Sequence, residues 1–539
     1  MTIKERRWVI YFAIFVIVVT TVPYLLGYFR EGSNWRYTGF IFGVEDGNSY
    51  IAKMLSGAFG AWLFRTPYTA YPQAGFLAFL PYILLGKLTA APGQHEQLVA
   101  LFQIFRWTGI FLFIMASYDF VAIFIKEIRH RQLAVAIICL GGGLGWLSVL
   151  GLRVLWKNGL PLEFYSPESF GFLSLYGVPH LAVGRALLLW GLCQYLLPVD
   201  EKQDTRQGIL GGILWLALGL MQPLTVAVGW IILAAHLCFS GIIQFISKNR
   251  QIEAEWSVWK RYLKKALIIV IISSPLVIYN VISFLTDPYL KGWAQQNIIT
   301  SPPPLDYLLA YGLLLPFALA GINKAFQQNH WHAYLLTAWL IILPGLAYAP
   351  TNLQRRLPEG IWVAIVILAI IFLASRSDRN QRWMKGIYGL SFLTTLLLIA
   401  GGLLTVWQQG NPLYRPVGEI EQFNFLSNQA STNQVVLASF DTSNALPAWA
   451  PVRTIVGHGP ESIHLKEILP QVEQFYSNSS SDLSREQLLK EFGIAYILWG
   501  PAEQKLGSWD PASANYLKKI YQENGYFIFE VLNIPGSTR

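Results

Sequence analysis

Charge is scarce in this chain. Only 13% of its 539 residues are Asp, Glu, Lys or Arg, against about 25% in an ordinary soluble domain. That excludes a conventional soluble enzyme and a disordered polymer. Cysteine is almost missing too. Cys139, Cys193 and Cys238 are the only three, and each lies in an apolar run. Neither a disulfide framework nor a CxxC metal site can be built from them. The net charge is +9, but no Lys/Arg stripe interleaved with aromatics is present, which excludes a groove that tracks a nucleic-acid backbone. There is no internal repeat and no low-complexity tract. Gly141-Gly142-Gly143 lacks the Lys-Ser/Thr of a phosphate loop, and its place in an apolar run predicts close helix packing instead.

Apolar residues make up 54% of the chain and the mean hydropathy is +0.41. Runs near twenty apolar residues recur, the mark of a polytopic helical membrane protein. The 20 Trp, 26 Tyr and 32 Phe suit aromatic belts at two interfaces. The run from Trp8 to about Tyr28 follows Lys4, Arg6 and Arg7. It is too long for a signal-peptide core and predicts an uncleaved first helix with a cytoplasmic N-terminus. Further spans are expected at about 98–125, 133–156, 179–198, 207–222, 224–246, 263–285, 305–323, 332–349, 358–375 and 386–408. The run 76–91 is interrupted by Pro81 and Gly86. Basic residues cluster at Lys126, Arg129 and Arg131, at Lys248, Arg250, Lys260, Arg261, Lys264 and Lys265, and at Arg376, Arg379, Arg382 and Lys385. All three clusters fall inside if 76–91 does not cross. The expectation is eleven spans plus a re-entrant or interfacial segment, with twelve as the alternative. Outer stretches are then 29–75, 157–178, 286–304 and 350–357, together with everything after 409.

From Gln409 onward the chain holds 9 basic and 13 acidic residues, against 31 and 18 before it. The fold class expected is an all-α membrane bundle over 1–408 followed by a small extracytoplasmic α/β domain over 409–539. In that tail, strands are predicted at Val435 to Phe440, Arg453 to Gly457, Ile494 to Trp499 and Tyr526 to Leu532. Helices are predicted at Ser484 to Phe492, opened by a Ser cap, and at Asn515 to Glu523.

Mid-span ionisable residues are few: Arg106, Asp119, Arg185 and His236. A transporter path would concentrate such groups near the midplane. Here acids and bases gather in the outer loops. In Val44-Glu45-Asp46-Gly47-Asn48-Ser49-Tyr50, an Asp-Gly turn is expected just before an apolar-patterned segment. Its two carboxylates suit a general base or a divalent-cation ligand; capping of the next helix by Asp46 is the plainer alternative. Glu168 and His180 lie in the second outer loop, with Arg185 about one turn beyond. A neutral His at a helix N-terminus accepts a proton or ligates a metal, or simply anchors the interface. Gln354-Arg355-Arg356-Leu357-Pro358-Glu359-Gly360 places two guanidinium forks outside, against the positive-inside trend. They suit a phosphate, or else pair with lipid headgroups or Glu359. In the tail, Asp441-Thr442-Ser443-Asn444 and Gly457-His458-Gly459-Pro460-Glu461-Ser462 follow strand ends, where ligand loops gather. His458 alone makes no triad.

This order of features resembles the GT-C superfamily of polytopic glycosyltransferases. One helix is followed by a long outer loop with Glu45-Asp46 and Tyr50, then a Pro-containing apolar segment from Tyr71-Pro72 to Lys87. A helix near Leu98 carries Arg106, and a second outer loop carries Glu168. The chain is also similar to bacterial membrane proteins of this class through Pro167-Glu168, Pro179-His180, Gln354-Arg355-Arg356 with Glu359-Gly360, Gly457-His458 and Gly500-Pro501-Ala502-Glu503. The order Glu45-Asp46 departs from the Asp-Glu order of several transferases, which leaves open which carboxylate acts. The resemblance implies a polyprenyl-phosphate sugar donor, transfer with inversion to an acceptor hydroxyl at the outer face of a bacterial cytoplasmic membrane, and no nucleotide. Asp46 or Glu45 would be catalytic, and Arg355 and Arg356 would bind the donor phosphate. Glu168, His180, Tyr50 and Glu359 would support the site. A divalent cation would use Asp46, Glu168 or His180. A lipid or small-molecule transporter and a non-catalytic scaffold with a partner-binding tail are the competing readings.

Overall fold

The computed structural model describes residues 1–157, 159–197, 201–246, 252–375 and 381–532. Lys248, Arg250, Arg376 and Arg379 of the basic clusters lie outside the described residues. Five described helices are long and apolar enough to cross a membrane, and six if a bent pair counts as one span: Ile3–Phe29, Gln94–Phe124, Pro223–Ile246, Glu255–Thr286, Trp383–Gln408, and Pro304–Tyr311 with Leu315–Gln328, bent by 69°. The chain is a multi-pass membrane protein. Helices at Pro179–Leu196, Glu201–Met221 and His330–Ala347 fill further expected positions. The run 76–91 holds only the seven-residue helix Leu80–Gly86, far short of the roughly 20 residues a crossing needs.

The chain divides into two compact units. The first comprises Met1–Val22, Phe105–Ile282 and Ile298–Gly402. Its first helix, α1 (Ile3–Phe29), opens on a reciprocal cap. Glu5 Oε2 accepts from the Thr2 backbone at 2.6 Å, and Thr2 Oγ1 accepts from the Glu5 backbone at 3.3 Å, which satisfies two orphan donors at once. Arg106 donates to the Thr20 and Thr21 hydroxyls at 2.9 and 2.8 Å. Trp190 donates to Asp119 at 3.0 Å, and His236 bonds Tyr195 and the Trp331 carbonyl. Arg106, Asp119 and His236 thus each fasten one helix to another, as a buried polar group must. The expected span 133–156 does not form. The helix Ile128–Leu140 stops at the glycine run, and short 3-10 turns follow. The glycines permit a close approach: a Cβ on Gly143 would stand 1.7 Å from the Ala310 carbonyl oxygen.

The second unit comprises Pro23–Ile104, Ser283–Asn297 and Leu403–Arg539, so the tail shares its compact unit with the first long loop. Strand β1 (Trp35–Tyr37) pairs antiparallel with β2 (Tyr414–Pro416). A five-stranded sheet has the order β4-β3-β5-β7-β6. Its strands are β3 (Val435–Leu437), β4 (Arg453–Thr454), β5 (Ile494–Trp499), β6 (Leu517–Glu523) and β7 (Tyr526–Val531). β3 runs parallel to β4 and β5, while β7 runs antiparallel to β5 and β6. The helix Asp482–Glu491 opens on Ser481, whose hydroxyl accepts from the Ser484 backbone. One expected helix is a strand. Asn515 to Glu523 forms β6 because Asn524 and Gly525 both take positive φ, 49° and 81°, and close a two-residue hairpin onto β7. Asn-Gly is the residue pair such turns prefer.

In the same unit, helix α2 (Val44–Ala58) begins after Gly43, whose φ of 60° is left-handed. The expected Asp-Gly turn is therefore absent. Glu45, Asp46 and Gly47 are helical, and the two acids occupy the first turn, where the helix dipole favours negative charge. Helix α3 (Leu80–Gly86) crosses α2 at backbone contact. A Cβ on Gly57 would stand 2.1 Å from the Ile83 oxygen, and one on Gly86 would stand 1.7 Å from the Met54 oxygen.

Candidate functional site

Two polar constellations stand out, one in each unit. In the second unit the first turn of α2 presents Asp46. Its side chain is 62% exposed, yet Oδ1 accepts from His458 Nε2 at 3.1 Å, and the histidine is only 7% exposed. The His458 ring stacks on Tyr68 with centroids 5.6 Å apart. Its loop is fixed by Ser462, whose hydroxyl accepts from the Gly457 and His458 backbones, both at 3.1 Å. Gly457 is required there. Its φ is 152°, and a Cβ would meet the Ser443 backbone at 2.7 Å and Tyr68 at 2.8 Å.

Beneath His458 lies a buried ion pair. Glu461 Oε1 is 3.6 Å from His458 Nδ1 and 2.6 Å from Lys53 Nζ. The same carboxylate accepts from Ser49 at 2.8 Å and from Thr66 at 2.7 Å. Lys53 also bonds the Ser49 hydroxyl and sits over the rings of Phe79, Phe64 and Tyr50. Burial works to raise the Glu461 pKa. The charges of Lys53 and His458 and the hydroxyl donors outweigh it and hold the carboxylate below its ordinary value. Asn48 and Asn444 bond side chain to side chain at 2.8 Å, and Tyr68 donates to the Asn444 carbonyl at 3.0 Å. Tyr50 stacks face to face on Tyr82, 4.7 Å apart. Glu45 is exposed beside Asp46. Its backbone carbonyl accepts from Asn444 at 3.4 Å.

In the first unit Glu359 pairs with Arg185 rather than with its own loop's arginines. Arg185 Nε stands 2.5 Å from Glu359, with both side chains buried. The rest of the guanidinium donates to the Phe170 carbonyl at 2.8 Å, the Pro167 carbonyl at 2.7 Å and the Glu168 carbonyl at 3.2 Å. Arg185 therefore ties the second polar loop to the Gln354–Gly360 loop. Arg356, 41% exposed, lies 3.5 Å from Glu168. Arg355 lies over the Tyr165 ring at 4.7 Å. His180 is the second residue of the helix Pro179–Leu196 and is half-buried.

Sequence reasoning singled out Asp46, His458, Glu168, Arg355, Arg356 and Glu359, and the structure joins them as Asp46–His458 and Glu168–Arg356. It missed Lys53 and Thr66. Lys53 is four residues after Ser49 on the buried side of α2, and a lone lysine on the buried face of an amphipathic helix was the available signal. Among the described residues no group of three or more His, Cys, Asp or Glu could hold a metal ion.

No family model matches the sequence, and no curated protein matches it. Solved structures do. The archaeal oligosaccharyltransferase AglB from Archaeoglobus fulgidus, in complex with an inhibitory peptide and a dolichol-phosphate, superposes with a TM-score of 0.55 at 13% identity. The match covers 98% of this chain and 74% of that one. ArnT from Cupriavidus metallidurans in the apo state gives 0.53 at 11% identity, covering 96% and 97%. The arabinofuranosyltransferase AftD from Mycobacteria gives 0.52 at 13% identity, covering 97% of this chain and 40% of that one. Likeness along almost the whole chain, with the helical spans and the C-terminal sheet both included, shows that this protein has the GT-C fold.

Proposed function

We propose that the protein is a membrane glycosyltransferase that moves a sugar from a polyprenyl-phosphate donor to an acceptor hydroxyl at the outer face of a bacterial cytoplasmic membrane. The observation that carries this is an accessible carboxylate on a rigid, buried support. Asp46 faces solvent, whereas its partner His458 and the Lys53–Glu461 pair behind it are buried. A catalytic base must be reachable by substrate and fixed within a few tenths of an ångström. The structures that share the fold support the reading, since one of them, the oligosaccharyltransferase AglB, is in complex with a dolichol-phosphate.

Asp46 takes the proton of the acceptor hydroxyl. The resulting oxygen attacks the anomeric carbon, the carbon–oxygen bond to phosphate breaks, and that electron pair leaves on the phosphate. Inversion follows from a single displacement. His458 orients Asp46 by donating from Nε2. Arg355 and Arg356 receive the charge that builds on the departing phosphate, a stabilisation larger in the transition state than in the ground state. Glu359 holds Arg185, and Arg185 holds the loop of Glu168. The N-terminus is cytoplasmic, and the soluble domain 409–539 lies outside.

The test is release of polyprenyl phosphate when the purified protein is incubated with a panel of polyprenyl-phosphate sugars, with membrane lipids and glycans as acceptors. Release is expected with and without EDTA. Loss on chelation, restored by Mg²⁺ or Mn²⁺, would instead place a cation at the carboxylates. Silence across the panel would leave a scaffold or a transporter. Arg355→Gln is expected to weaken donor binding by about tenfold, the worth of one charge-assisted hydrogen bond, read as the midpoint of a donor titration.

A further inference from the structure

The second unit contains a cleft of about 730 Å³ that the transfer reading does not use. Arg65 and Arg453 both line it, and no aspartate or glutamate is among the lining residues. Arg453 is held in place by two carbonyls. Its Nε donates to Asn433 at 3.1 Å and Nη1 to Ala70 at 3.4 Å. Burial and the nearby charge of Arg65 both lower the Arg453 pKa. Two guanidinium groups on the walls of one cleft, with no ion pair to either among the described residues, are an arrangement that an anion relieves. Thr66, Gln73 and Asn433 add polar atoms to the walls, while Phe59, Trp62 and Leu63 form an exposed apolar lip. Lys87 Nζ stands 4.1 Å over the Trp62 ring and adds a third cation at that lip.

We propose that this cleft is a binding site for a phosphate oxyanion, gripped between Arg65 and Arg453. Guanidinium forks match the paired oxygens of a phosphate. The apolar lip suits a phosphate carried on a lipid, and the polar walls also admit a soluble phosphate. The inference goes beyond the transfer reading: neither Arg65 nor Arg453 is placed in that chemistry, and Arg355 and Arg356 belong to the other unit.

Two probes separate the sources, both applied to the full-length protein in detergent. Inorganic pyrophosphate is titrated and its ³¹P line width followed. Phosphatidylglycerol is supplied in phosphatidylcholine nanodiscs, and lipid retention is counted by native mass spectrometry. Binding of at least one probe is expected, weakened about tenfold by Arg65→Gln and abolished by Arg65→Gln with Arg453→Gln. Pyrophosphate binding marks a soluble phosphate as the ligand, and retention of phosphatidylglycerol alone marks a lipid headgroup. Arg65 is exposed, so its single variant remains decisive if the double variant fails to fold. Lys505→Gln, which lines a different cleft, serves as the charge control and is expected to bind like the parent. Asp46→Asn is also expected to bind like the parent, so this inference and the transferase reading can fail separately. Absence of binding by both probes overturns the proposal, as does binding that Arg65→Gln leaves unchanged.

Discussion

Asp46→Asn is expected to lower sugar transfer by about a hundred- to ten-thousand-fold, the usual share of a positioned general base, while leaving the fold intact. The asparagine keeps an oxygen that accepts from His458 Nε2, now 3.1 Å from Asp46 Oδ1. Asp46 is largely exposed, so no buried charge is orphaned and the thermal midpoint should stay within a degree or two of the parent's. The substitution removes only the capacity to take a proton. Donor binding should therefore persist while turnover collapses, and the two are separable by titrating donor and counting released polyprenyl phosphate. Glu45→Gln is the companion. Glu45 is exposed beside Asp46, and it meets Asn444 through its backbone carbonyl. Transfer by Glu45→Gln should remain within a few-fold of the parent. If Glu45→Gln instead abolishes turnover and Asp46→Asn does not, the base is Glu45. If both retain full turnover, neither carboxylate acts.

What could be read in the sequence follows from the range over which each signal acts. Apolar runs report spans directly, so the membrane class needed no tertiary information. Local turn chemistry was legible in kind but not in place: a Ser cap is expected at the start of Ser484 to Phe492, and the helix opens three residues earlier, on Ser481. It was misread where two signals competed. Asn515 to Glu523 reads as a helix, but the Asn524-Gly525 turn pins Leu517 to Glu523 into β6 against β7. In the run 133–156 the three glycines suggest a packing site inside a span, yet they also stop the helix, because hydropathy averaged over about twenty residues carries no information on a backbone contact such as that at Gly143. Residues of the candidate site were identifiable one by one, since exposed acids and paired arginines are rare in so apolar a chain. Their partners were not. Asp46 meets His458 across 412 positions, and Arg185 meets Glu359 across 174. Nothing in one sequence links positions so far apart. Lys53 was invisible for the opposite reason: a lysine in a helix is ordinarily solvated, and only the buried Glu461 makes it a structural charge.

That ion pair carries the largest stability effect. Lys53→Met should destabilise the protein by about 3–5 kcal/mol, the usual cost of leaving one member of a buried pair alone. Lys53 and Glu461 are both almost fully buried, 2.6 Å apart, so water cannot replace the missing ammonium. The double variant Lys53→Met with Glu461→Gln should recover much of the loss, because the carboxamide oxygen still accepts from one of the two hydroxyls, Ser49 or Thr66, its NH2 can donate to the other, and no bare charge is left. The pH dependence has a definite sign. In the parent the Glu461 pKa is held below its ordinary value of 4.5. The unfolded chain therefore takes up the proton first, and the stabilisation this residue contributes is present above about pH 4.5 and lost as the pH falls through the lower folded value. In Lys53→Met the raising effect of burial meets less opposition, and protonation of Glu461 relieves the uncompensated charge. The gap in thermal midpoint between parent and Lys53→Met should thus be widest near neutrality and narrow as the pH falls from the variant's higher folded value towards the parent's lower one. A gap that is small at neutral pH, or that does not change on acidification, would show that the pair is not the electrostatic anchor of His458 and Asp46.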